Sequence, residues 1–131
     1  MTVGTTHMSY TRRFVDTPRK KQEVDRLVEC IDGHKTGYIL AGDLNSRPRS
    51  YAVRSIAKHL QHAGPPVDHK TWTTKPFSHQ GFAEEKLDWR LDYVFASAAI
   101  EVLAADVLET EFSDHLPILV TVNLARPGVD R

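Results

Sequence analysis

At 131 residues, with 17 basic and 17 acidic side chains, the chain is long enough for one domain and carries no net charge. The balance argues against bulk coating of nucleic acid, and a lone cysteine, Cys30, excludes an internal disulfide or a cysteine metal cage. Met1–Tyr10 lacks the pattern of a signal peptide, and no apolar run nears the roughly 20 residues that span a bilayer. The expectation is a soluble cytoplasmic protein.

Thr2–His7 reads as a strand at the very start of the chain. A helix follows, capped by Asp16 or Thr17, with Pro18 in the first position, where its missing N–H costs nothing. Val24, Leu27, Val28 and Ile31 form its apolar stripe and Gly33 ends it. Arg19-Lys20-Lys21, in the first turn, is read as a solvated basic turn, because the helix dipole disfavours cations there.

Tyr38-Ile39-Leu40-Ala41 is a continuous apolar run between glycines, the pattern of a strand buried on both faces in a parallel sheet. After a polar loop from Asp43 to Arg49, Ser50 caps a second helix with the stripe Val53, Ile56, Ala57 and Leu60, stopped by Gly64-Pro65-Pro66. His59 and His62 are assigned to its solvated face, and His34, His69 and His79 to surface loops. The long connection Gln61–Gln80 is a plausible substrate loop. Beyond it Trp89, Leu91, Tyr93 and Phe95 alternate with Arg90, Asp92 and Val94, and Ile100–Leu108 and Pro117–Leu124 supply two more strands. The expected architecture is layered α/β with a mixed sheet over residues 1–124, followed by a frayed tail, 125–131.

Three polar clusters abut strands. Asp43 and Asn45 leave the end of the apolar strand, where open α/β sheets gather functional groups, although both residues are also common turn formers. Asp92 interrupts a run of large apolar residues, as a site residue would, or as the wet face of an edge strand would. Ser113-Asp114-His115 sets a carboxylate beside an imidazole, a pairing of candidate ligand and candidate acid/base.

Taken together, Gly42-Asp43-Leu44-Asn45, Arg90-Leu91-Asp92-Tyr93 and Ser113-Asp114-His115-Leu116-Pro117 resemble, in order, the signature of the endonuclease/exonuclease/phosphatase superfamily. The intervals of 49 residues from Asp43 to Asp92 and 22 from Asp92 to Asp114 suit a helix with a strand and a hairpin. Thr6-His7-Met8 is similar to the family's Asn-Thr-His-Leu motif, with Thr5 where the Asn stands, and Thr71-Trp72 to its threonine-aromatic element.

The resemblance implies the deoxyribonuclease I-like fold, a layered α/β sandwich, and hydrolysis of a phosphoester by in-line attack of water with Mg2+ or Mn2+ as cofactor. Carried over, it gives Asp43 to the attacking water and Asn45 to that water or a phosphate oxygen. His115 would contact the phosphate, Asp92 orient His115, and His7 donate to a non-bridging oxygen. Asp114, with Asp43, would support the metal, and Arg47, close after Asn45, would grip the anionic substrate, with Arg49 beside it. The substrate remains open among nucleic acid, inositol phosphate and phospholipid headgroup.

Complete family members run to about twice this length. Their first half supplies a metal-binding Glu that has no counterpart here, so the resemblance covers the C-terminal half of the fold. A half sandwich would leave one sheet face uncovered. The expectations are therefore a truncated or split product inactive alone, an incomplete hydrolase whose other half comes from a partner chain or a second copy, or a noncatalytic half-domain acting as an interaction or assembly module.

Overall fold

The computed structural model describes residues 1–34 and 37–124; the tail assigned to 125–131 lies outside them. Strand β1 (Thr2–His7) leads through a single 3-10 turn, Arg12–Phe14, to helix α1 (Pro18–Asp32). Strand β2 (Tyr38–Asp43) and helix α2 (Tyr51–Ile56) follow. Then come a two-residue strand β3 (Gln61–His62), the hairpin β4 (Phe77–His79) and β5 (Phe82–Glu84), and strand β6 (Asp92–Ala96). A final pair, β7 (Glu101–Val107) and β8 (Ile118–Asn123), closes the described chain.

The main sheet has the order β1-β2-β6-β3, with β1 parallel to β2 and the other pairings antiparallel. It is the mixed sheet expected. Thr17, not Asp16, caps α1, accepting from the Lys20 amide at 3.1 Å. Asp16 instead receives the Tyr51 amide with both carboxylate oxygens at the start of α2. Both helices cover one face of the sheet. Val24 and Ile31 of α1 and Ala52, Val53 and Ile56 of α2 pack there on Tyr38, Leu40, Tyr93 and Phe95. Gly4 makes room at this face for the Tyr38 hydroxyl, which a Cβ would displace.

The strand over Tyr38–Asp43 is less enclosed than its apolar run predicts: Tyr38 and Leu40 are buried, while Ile39 and Ala41 are half-buried. The second face is only partly covered. The β7–β8 pair lays Val102, Val120 and Val122 near Ile39 and Val94, whereas Val3 of β1 stays 63% exposed. Helix α2 is also shorter than expected. Its regular part stops at Ile56, Ala57 is exposed, and Ala52 takes the core position in its place.

Aromatic residues make a second cluster. Phe14 sits in a left-handed backbone conformation (φ 57°), unusual for a bulky residue. Its ring is held by Trp72, Phe82 and Trp89, at centroid distances of 5.3, 5.9 and 4.9 Å, which keeps the strained turn in place. The Gln61–Gln80 connection is thus not merely a polar loop: it supplies β3, Trp72 and the first strand of a hairpin.

Candidate active site

The register of the main sheet assembles the site. His7, Asp43 and Asp92 are paired residues across β1, β2 and β6, so their side chains stand side by side on the face away from the helices. They lie where β1 and β2 end and β6 begins. Gly42, just before Asp43, has no room for a Cβ, which would strike the Thr6 carbonyl of the adjacent strand. The glycine of the motif therefore lets β1 and β2 approach closely.

His115 reaches this row from the loop before β8. Its Nδ1 lies 2.7 Å from Asp92 Oδ2 and its Nε2 lies 3.6 Å from Asp43 Oδ2. An ionised carboxylate only accepts, so Nδ1 carries a proton and Nε2 is the nitrogen turned toward Asp43. On the other side, His7 Nε2 lies 3.5 Å from Asp43 Oδ2 and 3.4 Å from Asn45 Nδ2. The second Asp43 oxygen, Oδ1, accepts the Asn45 amide at 2.7 Å, and Asn45 Nδ2 donates to the Met8 carbonyl at 2.7 Å. Asn45 holds a left-handed backbone (φ 45°), a conformation that asparagine tolerates better than most residues.

Both central groups are shifted upward, for different reasons. The Asp43 carboxyl is raised, first by burial and then by Asp92, against the Asn45 amide and the two histidines. For His115, burial is the largest single influence and lowers it. The hydrogen bond and charge of Asp92, with Asp43 and Asp114 behind, outweigh burial and leave the imidazole raised above its ordinary value.

Asp114 is exposed and lines the same cavity, of about 350 Å³, together with His7, Asp43, Asn45 and His115. Its Oδ2 accepts the Trp72 indole N–H at 3.1 Å. Among the described residues, the group whose ligand atoms all fall within 4.8 Å of one another is Asp43, Asp92 and His115. Asp114 is outside that group. Arg47 is exposed and lines a neighbouring cleft with Phe14, Asp16 and Arg49 rather than the histidine-lined cavity.

Two motif residues prove to be braces. Arg90 is 1% exposed and donates to four carbonyls: Asp92 and Pro66, each at 2.7 Å, and His69 and Pro65, each at 3.1 Å. Thr71, fully buried, receives the Leu91 and Asp92 amides on its hydroxyl at 3.1 and 3.3 Å. Both pin the chain entering β6 and so place Asp92. The bland reading of Asp92 as the wet face of an edge strand fails, because β6 lies between β2 and β3.

Two readings are corrected by the structure. Lys20 is not solvated: it is 2% exposed, and its ammonium donates to the Ser9 and Asn45 carbonyls. The apolar stripe, extended back four residues from Val24, lands on it. His62 is not on a helix but in β3, half-buried against Tyr93 and Phe95, and burial, followed by the charge of Arg90, lowers its pKa. His59 is exposed, as expected, although it lies beyond the end of α2, and it pairs with Asp32 at 2.7 Å. Of the loop histidines, His34 stacks on Tyr38, and His79 is exposed yet lines the candidate cavity.

No curated protein matches the sequence. Solved structures do match the fold. A functionally unknown conserved protein from Enterococcus faecalis aligns with 92% of the chain at a TM-score of 0.68 and 15% identity, over 49% of its own length. The human Nocturnin catalytic domain, solved with a bound sulfate anion, aligns with 92% at 0.62 and 20% identity, over 46% of its own length. A mannosyl-6-phosphatase from Bacteroides thetaiotaomicron aligns with 92% at 0.63 and 17% identity, over 50% of its own length. The fold is the deoxyribonuclease I-like α/β fold, and the chain spans about half the length of the structures it matches. The sequence pattern of the Endonuclease/Exonuclease/phosphatase family matches residues 2–115. The chain therefore belongs to the endonuclease/exonuclease/phosphatase family.

Proposed function

We propose that the cavity bordered by His7, Asp43, Asn45, Asp114 and His115 is the site of a metal-dependent phosphoester hydrolase that works by in-line attack of water on phosphorus. The observation that carries this reading is the Asp92–His115–Asp43 alignment, a 2.7 Å hydrogen bond on one side of the imidazole and a 3.6 Å approach on the other. A carboxylate that fixes the tautomer of a histidine leaves the far nitrogen free for proton transfer or for a phosphoryl oxygen.

Asp43 has the basicity for the water-activating role: burial raises its pKa, and its Oδ2 faces the cavity between two histidines. Asn45 holds the water or a phosphoryl oxygen. His115 donates to the phosphate or the departing oxygen, and Asp92 keeps its ring oriented. His7, on the opposite side of Asp43, donates to a non-bridging oxygen as charge builds there. Arg47 meets the substrate outside the reacting group, from the neighbouring cleft.

The donor set suits a hard divalent cation in kind, since Asp43 and Asp114 present oxygen ligands to one open cavity and such ions are often held by one or two carboxylates plus substrate phosphate. Mg2+ or Mn2+ held by Asp43 and Asp114 would supply charge stabilisation at the phosphoryl group. Hydrolysis of a simple phosphodiester in oxygen-18 water with Mg2+ tests the reaction class. The expected product is a phosphomonoester carrying one heavy oxygen. Label on the released alcohol instead would mean attack at carbon and would end this reading.

A second reading, an assembly module without turnover, is favoured by the exposed Val3 on the partly covered sheet face. It predicts tight self-association or partner capture with no product formed.

A further inference from the structure

Lys20 is placed where a lysine is doubly disfavoured, in the first turn of α1 and away from water. What offsets both costs is visible. The ammonium donates to the Ser9 carbonyl, just past β1, and to the Asn45 carbonyl at 3.2 Å, just past β2. These are the segments that follow His7 and Asp43. The backbone ladder between them ends with the Met8 amide on the Asp43 carbonyl at 2.9 Å.

Glu23, one turn further along α1, takes the Ser9 amide and hydroxyl. Helix α1 therefore grips Ser9 at its amide, side chain and carbonyl, and through the same lysine it also holds Asn45. The Asn45 backbone needs such support, because its left-handed conformation persists only where neighbours over-determine it. Its side chain is committed in turn: Nδ2 donates to Met8 and lies 3.4 Å from His7 Nε2.

We infer that Lys20 is a positioning residue of the site, a buried cationic bridge that fixes the Asn45 loop against the His7 strand end and so sets where Asn45 Nδ2 and Asp43 Oδ1 stand. Its catalytic consequence rests on the hydrolase reading above; its geometric consequence does not. Lys20→Met keeps the bulk of the side chain and removes both hydrogen bonds. Asn45 is then free to leave the left-handed region, and the amide that Asp43 accepts goes with it.

Amide hydrogen exchange on the full chain reads this without any turnover. In Lys20→Met, the Asn45 amide is expected to exchange at least about 30-fold faster, while the α1 amides of Val24 and Val28 stay within about 3-fold of the unaltered protein. An unchanged Asn45 amide, or equal acceleration at Asn45 and in α1, overturns the proposal in favour of plain packing. Should the variant fail to fold, the unaltered protein provides the test. A through-hydrogen-bond NMR correlation is expected between Lys20 Nζ and the Ser9 and Asn45 carbonyl carbons, and an ammonium in free exchange with water overturns the bridge. If the protein hydrolyses phosphodiesters, Lys20→Met should lower kcat at least about 10-fold with little change in KM. Failure of Asp43→Asn to lower turnover would sink the assignment of the site to this cavity and leave the exchange result standing.

Discussion

The imidazole of His115 is set by opposing forces. Burial alone would make it a weak base, and the Asp92 carboxylate, with Asp43 and Asp114, restores and exceeds its ordinary basicity. Asp92→Asn should therefore move the His115 titration, followed by NMR, from above about 6.5 to below it. A midpoint unmoved by the substitution would show that Asp92 does not control the ring. Because the folded pKa is raised, His115 contributes stability that is fully present below about 6.5 and is lost as pH climbs through the folded value. Asp43 shifts stability with pH in the same sense. Its carboxyl is also raised, so at neutral pH its ionisation costs the fold free energy. Asp43→Asn should raise Tm at pH 7 while lowering turnover about 100-fold or more. A fall in Tm would assign Asp43 to the scaffold. At this scale the sequence was informative about residue types and ordered spacing. It misplaced Lys20, because helix-end electrostatics argued for solvent, whereas the side chain is buried.

Secondary-structure elements deliver these groups by register. One residue of slip between β1 and β2, or between β2 and β6, would turn His7 or Asp92 to the helix side. The entry into β6 is accordingly braced by Arg90 and Thr71. Arg90→Met strips four carbonyls of a buried charged donor and should destabilise the protein by about 3 kcal/mol in urea unfolding. A loss under about 0.5 kcal/mol would be the value of an ordinary surface change and would refute the brace. Ile56, fully buried under the sheet, makes a separate case: Ile56→Ala should cost about 2–5 kcal/mol. The helices and the longer strands were legible from apolar periodicity and caps. The β3 strand and the β4–β5 hairpin were not. Two- and three-residue strands carry too few positions to show a period, and the hairpin turn, Gln80-Gly81, resembles any polar loop.

At the scale of the whole molecule, the helices close one side of the sheet and the β7–β8 pair closes part of the other. Val3 remains open, and Leu103 and Leu119 of the β7–β8 pair are also more than half exposed. The matched structures are about twice as long, and the uncovered side is where further protein would add apolar burial. We expect the chain to associate in solution, seen as a concentration-dependent mass by light scattering, with Val3→Lys weakening it. A mass that stays monomeric at every concentration would contradict that expectation. Among the described residues no helix is long and apolar enough to cross a membrane. The half-length match was legible from the order of the motifs, since the histidine motif that begins the resemblance falls at His7. The partial cover supplied by β7 and β8 was not, because strand patterning gives alternation but not which layer a strand joins.

Phosphoester hydrolysis by the proposed Asp43–His115–Asp92 row can be checked by comparing turnover. With Mg2+ present, bis(p-nitrophenyl) phosphate should be hydrolysed by the unaltered chain, and chelation of the metal should stop the reaction. Asp43→Asn, confirmed as folded by its raised Tm, should retain at most about one hundredth of that rate. Equal rates for the two proteins, or no metal-dependent rate from the unaltered chain, would contradict the account.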